Sequence, residues 1–333
     1  MNEIRDDLGD ITTAKTSPGP LSTGEGLIYA VRDAQEEWRQ NRKTGTGEMV
    51  LADPGVEDKR LFVLDEEFAT ALSCTKREGN TLSSIIRGAW DNGNIEPLTK
   101  TSRIKTTGAH IGIVSHITME ELHQRLTDVE VFNGFANRFI WVCAKRSKLV
   151  PFPTPMPEIE LFGIKRRLLE RLKLARGIGQ MQFNEDTKSI WKSVYANLSR
   201  DRGGLVGTVL NRAEAQVVRL AMVYALLDGS AMIEHGHLDA ALGFWEYCSE
   251  SAIFIFKGRE SAAVSNKIVE ALKTGPKSRT DLHRACQNNI NQNQMDNALR
   301  RLANNGRIIS EKEGTGGKPR IIYSLVSYIS HGA

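Results

Sequence analysis

Residues 60–71 read RLFVLDEEFATA, four apolar residues (Leu61 to Leu64) running straight into Asp65, Glu66 and Glu67. A short apolar run bounded by charge on both sides is the pattern of a strand in a covered sheet. An acid at the carboxyl end of a parallel strand faces the crevice where α/β sheets bind ligands. There it can hold a magnesium ion beside a triphosphate. The alternative is a core strand that ends at the surface, and the stretch alone leaves both open.

Outward from this stretch, further apolar runs alternate with helical patterns. HIGIVSH (110–116) and RFIWVCA (138–144) read as strands, and GEGLIYAVRDAQEEW and NTLSSIIRGAWD as helices. Such alternation predicts an α/β domain on a parallel sheet over 21–150. Residues 1–20 are polar, end in a Pro- and Gly-rich stretch, and read as a flexible leader. KLVPFPTPMPEI carries four prolines and marks a boundary. After it the pattern turns helical (158–176, 185–199, 211–228 and 236–256), which predicts a helical bundle over 151–258. The remainder, 259–327, gives three helices and then GRIISEKE and KPRIIYSL flanking a glycine-rich turn. That is the order of a winged helix-turn-helix.

Composition narrows the class. Of 333 residues, 40% are hydrophobic and 25% charged, as in ordinary globular proteins. No apolar run reaches the ~18 residues of a membrane span. The N-terminus lacks the apolar core of a secretory signal. The four cysteines form no CxxC pair, which argues against a zinc site or disulfide framework and suits a reducing cytoplasm. The net charge of +4 is uneven: 257–320 holds thirteen Lys/Arg against six Asp/Glu, a local +7 that leaves −3 for the rest. A basic module on a near-neutral body points to a polyanionic partner.

Within that module QNQMDNALRRLANNGR reads as a recognition helix. Gln292, Asn293, Gln294 and Asn297 can hydrogen-bond base edges, and Arg300 and Arg301 would sit nearer phosphates. Lys312, Lys318 and Arg320 surround the wing turn. The alternative is a protein-binding module with a solvated polar face. Lys100, Arg103 and Lys105 could line a central channel and touch single-stranded DNA, or belong to a solvated hairpin. The run 164–176 reads as a helix with a solvated basic face, and His235 and His237 as residues of a helix start.

Three further positions bear on Asp65. Glu25, between two glycines at a helix entry, could polarise an attacking water or simply complement the helix dipole. His116, at the end of a strand, could donate to a γ-phosphate or make a structural contact. Arg138, ahead of a predicted strand, could reach a neighbouring subunit's phosphate or form a surface salt bridge. Taken together, LSTGEGLIYAVRD, DPGVEDKRLFVLDEEFA, GNTLSSIIRGAWD, TGAHIGIVSHIT and NGFANRFIWV resemble the distal half of the RecA-like core of plasmid and phage hexameric replicative helicases, of the mobile-element primase–helicase type. RAEAQVVRLAMVYALLDGS and HLDAALGFWEYCSESA resemble the helical region after that core, so the likeness covers roughly 20–256.

The resemblance implies an ATP- and Mg-dependent helicase acting on DNA as a ring. It also implies Glu25 as the water-polarising acid, Asp65 as the Walker B residue holding magnesium through water, with Glu66 beside it, His116 as phosphate sensor and Arg138 as the inter-subunit finger. The chain contains no GxxxxGK[ST] phosphate loop; GTGGKPR (314–320) lacks the Ser/Thr and precedes no helix. The expectation is a fragment or a truncated protein that hydrolyses ATP very poorly alone. It would act with an intact ATPase relative, or as a DNA-binding replication or regulatory protein that has lost ATPase function.

Overall fold

The computed structural model describes residues 15–17, 19–40, 45–97, 104–286, 290, 292–314 and 320–326, with the side chains of 258–263 left aside. Two compact units divide between Ser251 and Ala252.

In the first unit, β1 (Lys15–Ser17) leads to helix α1 (Gly24–Tyr29), then to strands β2 (Gln35–Gln40), β3 (Gly47–Asp53) and β4 (Arg60–Asp65). Helices α2 (Phe68–Thr75) and α3 (Leu82–Asp91) precede β5 (His110–Ser115). β4 is the middle of a three-stranded parallel sheet, paired to β1 from Lys15↔Leu61 and to β5 from Arg60↔His110 through Asp65↔Ser115. Its Leu61, Val63 and Asp65 are buried, whereas Phe62 and Leu64 are half-buried. The expected strands at 61–64 and 110–116 therefore form, but neither is covered equally on both faces. Val114 on β5 is 41% exposed.

Three expectations are corrected. Residues 15–17 of the supposed leader supply a strand, because a parallel ladder asks only for backbone donors and acceptors, which polar KTS has. The last four residues of GEGLIYAVRDAQEEW, Gln35 to Trp38, are strand rather than helix, and 30–34 are turn and irregular chain. β2 and β3 pair antiparallel with Trp38 opposite Met49, both largely exposed, so the hairpin shows little of the hydrophobic patterning that marks strands. RFIWVCA is not a strand. After α4 (Met119–Arg125) and α5 (Asp128–Phe132), Ala136–Arg138 makes a 3-10 turn and the chain runs on irregularly. Its apolar residues pack as an aromatic cluster instead: Phe139 lies 5.1 Å from Phe68 and 5.0 Å from Phe135, and Trp141 donates from Nε1 to the carbonyl of Ala136.

Helices α6 (Glu158–Arg176), α7 (Glu185–Leu198), α8 (Gly204–Leu210) and α9 (Ala213–Asp228) follow, with the two-residue strands β6 (Gln182–Phe183) and β7 (Met232–Ile233) pairing parallel. The helical character is as expected, but these helices belong to the same unit as the sheet. Asn137 donates to the Thr208 carbonyl at 3.3 Å and Arg219 to that of Trp90 at 2.9 Å. α9 stops at Gly229, whose left-handed φ of 80° a side chain would adopt only under strain.

Helix α10 (His235–Lys273) contains the division between the units. Beyond it the second unit has β8 (Lys277–Ser278), α11 (Arg279–Ala285), α12 (Gln292–Asn304), β9 (Ile308–Glu313) and β10 (Arg320–Leu325). The strands form an antiparallel sheet ordered β8-β10-β9. Its core joins Ile268 and Leu272 of α10, Leu282 of α11, Met295, Leu299 and Leu302 of α12, and Ile308 of β9. The Met295, Ala298, Leu299 and Leu302 spacing turns one stripe of α12 inward, as the 3.6-residue period demands.

Candidate functional site

The three sheet strands run parallel, so the segments that follow β1, β4 and β5 all leave from one edge. Glu25 comes after β1, Asp65 ends β4 and His116 follows β5. α1 starts where Thr23 caps it, its hydroxyl accepting from Gly26 N–H at 3.1 Å. Gly24 must be glycine here, since a Cβ would lie 2.4 Å from Thr81 Oγ1 and 2.9 Å from its carbonyl carbon. This close approach of α1 to the start of α3 lets the Thr81 hydroxyl donate to Glu25 Oε1 at 2.9 Å.

Asp65 is enclosed, at 1% exposure. Its Oδ1 accepts from Glu67 N–H at 3.0 Å and its Oδ2 from Leu21 N–H at 3.4 Å. Its carbonyl accepts from His116 N–H at 3.1 Å and from the Ser115 hydroxyl at 2.7 Å. A carboxylate whose oxygens both face backbone amides, with almost no solvent contact, does not fit a hydrated magnesium ion. In this geometry Asp65 holds the 19–21 segment against the sheet. Glu66 and Glu67 are exposed and line a cleft of about 560 Å³ with His116, Thr118, Arg77 and Arg125. The cleft thus gathers carboxylates, an imidazole, hydroxyls and two guanidiniums from the segments that follow β4 and β5. Sequence reasoning named Glu66 and His116 here and missed Arg77, Thr118 and Arg125, which carry no local motif.

Arg138 does not project outward. Its side chain is 8% exposed, pairs with Asp91 at 3.0 Å and donates to the Gly134 carbonyl at 2.7 Å. In this conformation Asp91 and the Gly134 carbonyl hold the guanidinium within its own chain. The Trp90 ring beside it also carries Arg219 at 3.7 Å and Arg212 at 4.6 Å from its centroid. Neither arginine was singled out from the sequence.

In the second unit, Gln292, Asn293, Asn297, Arg300 and Arg301 are exposed on α12, opposite the buried stripe. Gln294 is half-buried. Arg320 pairs in register with Glu313, and Ile321 with Lys312, so the described part of this hairpin mixes charges of both signs. Lys100, Arg103 and Lys318 lie outside the described residues; Lys105 is exposed, and its carbonyl accepts from Asp33 N–H at 2.9 Å. His237 makes a structural contact. Glu234 N–H donates to its Nδ1 at 3.0 Å, which leaves the proton on Nε2 to meet Asp228 at 3.1 Å.

No family model matches the chain, and no curated protein matches it. Among solved structures it is similar to a full-length MCM homolog from Methanopyrus kandleri, at 14% identity and a TM-score of 0.35. The match covers 75% of this chain and 49% of that one, so the chain spans about half the length of the structure it matches. Among the described residues no helix is long and apolar enough to cross a membrane.

Proposed function

We propose that the chain is the distal part of a RecA-like replicative helicase of the mobile-element primase–helicase type, joined to a winged-helix DNA-binding unit. The observation that carries this reading is the common sheet edge from which the Glu25, Asp65 and His116 segments emerge. In such ATPases that edge faces the nucleotide phosphates. The cleft with Glu66, His116, Arg77 and Arg125 lies between two of these segments. Glu25 would orient water and His116 would report on the phosphate, while Asp65 keeps the 19–21 segment in place. ATP and magnesium enter with the full-length protein, whose ring would also carry the DNA.

The DNA contact falls to α12, whose outward residues combine amide side chains able to read bases with arginines suited to phosphates. Fluorescence anisotropy of the whole chain on duplex DNA tests it. Binding should weaken steeply with salt and be lost in Arg300→Ala/Arg301→Ala. Binding that is absent at low salt, or indifferent to that double variant, would overturn the DNA assignment.

A second reading, a DNA-binding replication or regulatory protein without ATPase function, is favoured by the enclosed Asp65 carboxylate. Hydrolysis measured with and without an intact relative of the same helicase type separates the two. Turnover rising in the mixture supports the helicase part; no change supports the second reading.

A further inference from the structure

Three guanidiniums converge on one indole in the first unit. The Trp90 ring carries Arg219 at 3.7 Å, Arg212 at 4.6 Å and Arg138 at 5.7 Å from its centroid. The elements responsible are α3, which ends in Trp90 and Asp91, the 3-10 turn that ends in Arg138, and the start of α9, which brings Arg212 and Arg219 seven residues apart onto one helix face. Among the described residues one carboxylate forms ion pairs with them. Asp91 pairs with Arg138 at 3.0 Å and, more loosely, with Arg212 at 3.6 Å. Arg219 donates to the Trp90 carbonyl at 2.9 Å.

Like charges so close repel, and the local balance is positive. Arg219 loses protonation more readily than an ordinary arginine, through partial desolvation first and Arg212 second, with Asp91 offsetting part of this. Arg138 adds an independent sign. Its side chain is more than nine-tenths buried, and its Nε finds no hydrogen-bond acceptor among the described residues. A buried guanidinium donor without an acceptor is costly, because its lost hydration is not replaced. Trp90 and Arg138 also line a cavity of about 770 Å³ together with Ser115, His116, Phe139 and Gln216, so a small ligand has room beside the cluster.

We infer that Arg138, Arg212 and Arg219, arranged around Trp90, form a binding site for a phosphate anion, free or as the terminal group of a nucleotide. The planar fork of a guanidinium matches the tetrahedral oxygens of phosphate, and charge-assisted bonds of this kind are the strong ones. Asp91 is the internal competitor: it occupies Arg138 and Arg212 when no ligand is present. Its three arginines are distinct from Glu25, Asp65 and His116, while His116 lines the cavity beside them, and the assignment stands whether or not that edge serves an ATPase.

Isothermal titration of the whole chain with inorganic phosphate, pyrophosphate and ATP, without magnesium, tests the assignment. Arg212→Gln/Arg219→Gln should weaken binding at least ~10-fold, while the charge-matched Arg39→Gln/Arg166→Gln pair, exposed and remote in sequence, leaves it within ~2-fold. Asp91→Asn should tighten binding, a gain that a purely structural salt bridge does not give. The exposed single variant Arg219→Gln covers the case in which the double variant fails to fold, and it should weaken binding several-fold. Equal affinity for phosphate and ATP identifies the free anion as the ligand; tighter ATP identifies a nucleotide. No binding of any of the three, or binding unaltered in both arginine variants, overturns the site.

Discussion

The Leu21 N–H donates to Oδ2 of Asp65 across 3.4 Å, tying the segment that leaves β1 to the end of β4. Glu67 N–H donates to the other carboxylate oxygen at 3.0 Å, so one buried side chain answers two separate stretches of backbone. Gly19 sits in the same corner, where a Cβ would come within 3.2 Å of Asp65. Replacement of Asp65 by alanine leaves those amides without their acceptor, at a cost of about 1–3 kcal/mol. Chemical denaturation should show that loss, with Asp65→Asn losing less because one oxygen remains. An alanine variant as stable as the parent would mean that the 19–21 segment is held by something else.

On α12, Asn297 and Arg300 are both exposed, yet they should fail differently. If Asn297 reads a base edge, Asn297→Ala costs about 1–3 kcal/mol on the preferred sequence and little on others. If Arg300 meets a phosphate, Arg300→Ala weakens binding to all sequences alike and lowers the salt dependence by roughly one ion. Anisotropy titrations over a salt series on two unrelated duplexes separate these outcomes. Identical profiles for the two variants would remove the distinction between reading and anchoring residues.

The start of α11 offers a pH test. Ser278 Oγ accepts from Asp281 N–H, and the Asp281 carboxylate accepts from the Ser278 hydroxyl and backbone, a reciprocal cap. That hydroxyl is the main reason the Asp281 pKa falls below its ordinary 3.8, opposed by slight desolvation and helped by the backbone bond, Arg284 and Arg320. A depressed carboxylate contributes stability above its unfolded pKa, and the contribution is lost as pH falls through the lower folded value. The second unit should therefore lose stability below about pH 4, and Asp281→Asn should flatten that part of the curve. Ser278→Ala removes the cap at neutral pH, for about 1 kcal/mol. Helicity and melting followed by circular dichroism from pH 6 to 2.5 give both readouts.

Legibility followed the hydrophobic pattern closely. β4, β5 and the whole α11–α12–β9–β10 sequence announce themselves, because their apolar residues recur at strand or helix spacing and turn residues bound them. QEEWRQ and GEMVLAD did not, since the hairpin they build leaves Trp38, Met49 and Leu51 largely in solvent. RFIWVCA misled for the opposite reason: its apolar run is satisfied by ring packing against Phe68 and Phe135, with no ladder partner required. At the sheet edge the motifs located Glu25, Asp65 and His116, but not which atoms are open. Asp65 looks like a metal ligand in sequence, yet backbone amides claim it in three dimensions. Trp90 lies more than a hundred residues before Arg212 and Arg219 and meets them only after folding, so no local pattern could announce the cluster.

The four cysteines differ in a way that chemical labelling can read. Cys74, Cys248 and Cys286 are buried, and Cys143 is half-exposed. Burial pushes the Cys248 thiol up to about 11 and raises that of Cys286 as well, the latter slightly offset by Lys267. Alkylation proceeds through the thiolate, so high pKa and poor access act in the same direction. A brief iodoacetamide pulse at pH 8 on the native chain should therefore label Cys143 first, with the other three following only as denaturant is added. Peptide mapping by mass spectrometry gives the order directly. Early labelling of Cys248 would mean that α10 is not packed as described, and early labelling of Cys286 would say the same of the core that α11 shares with α12.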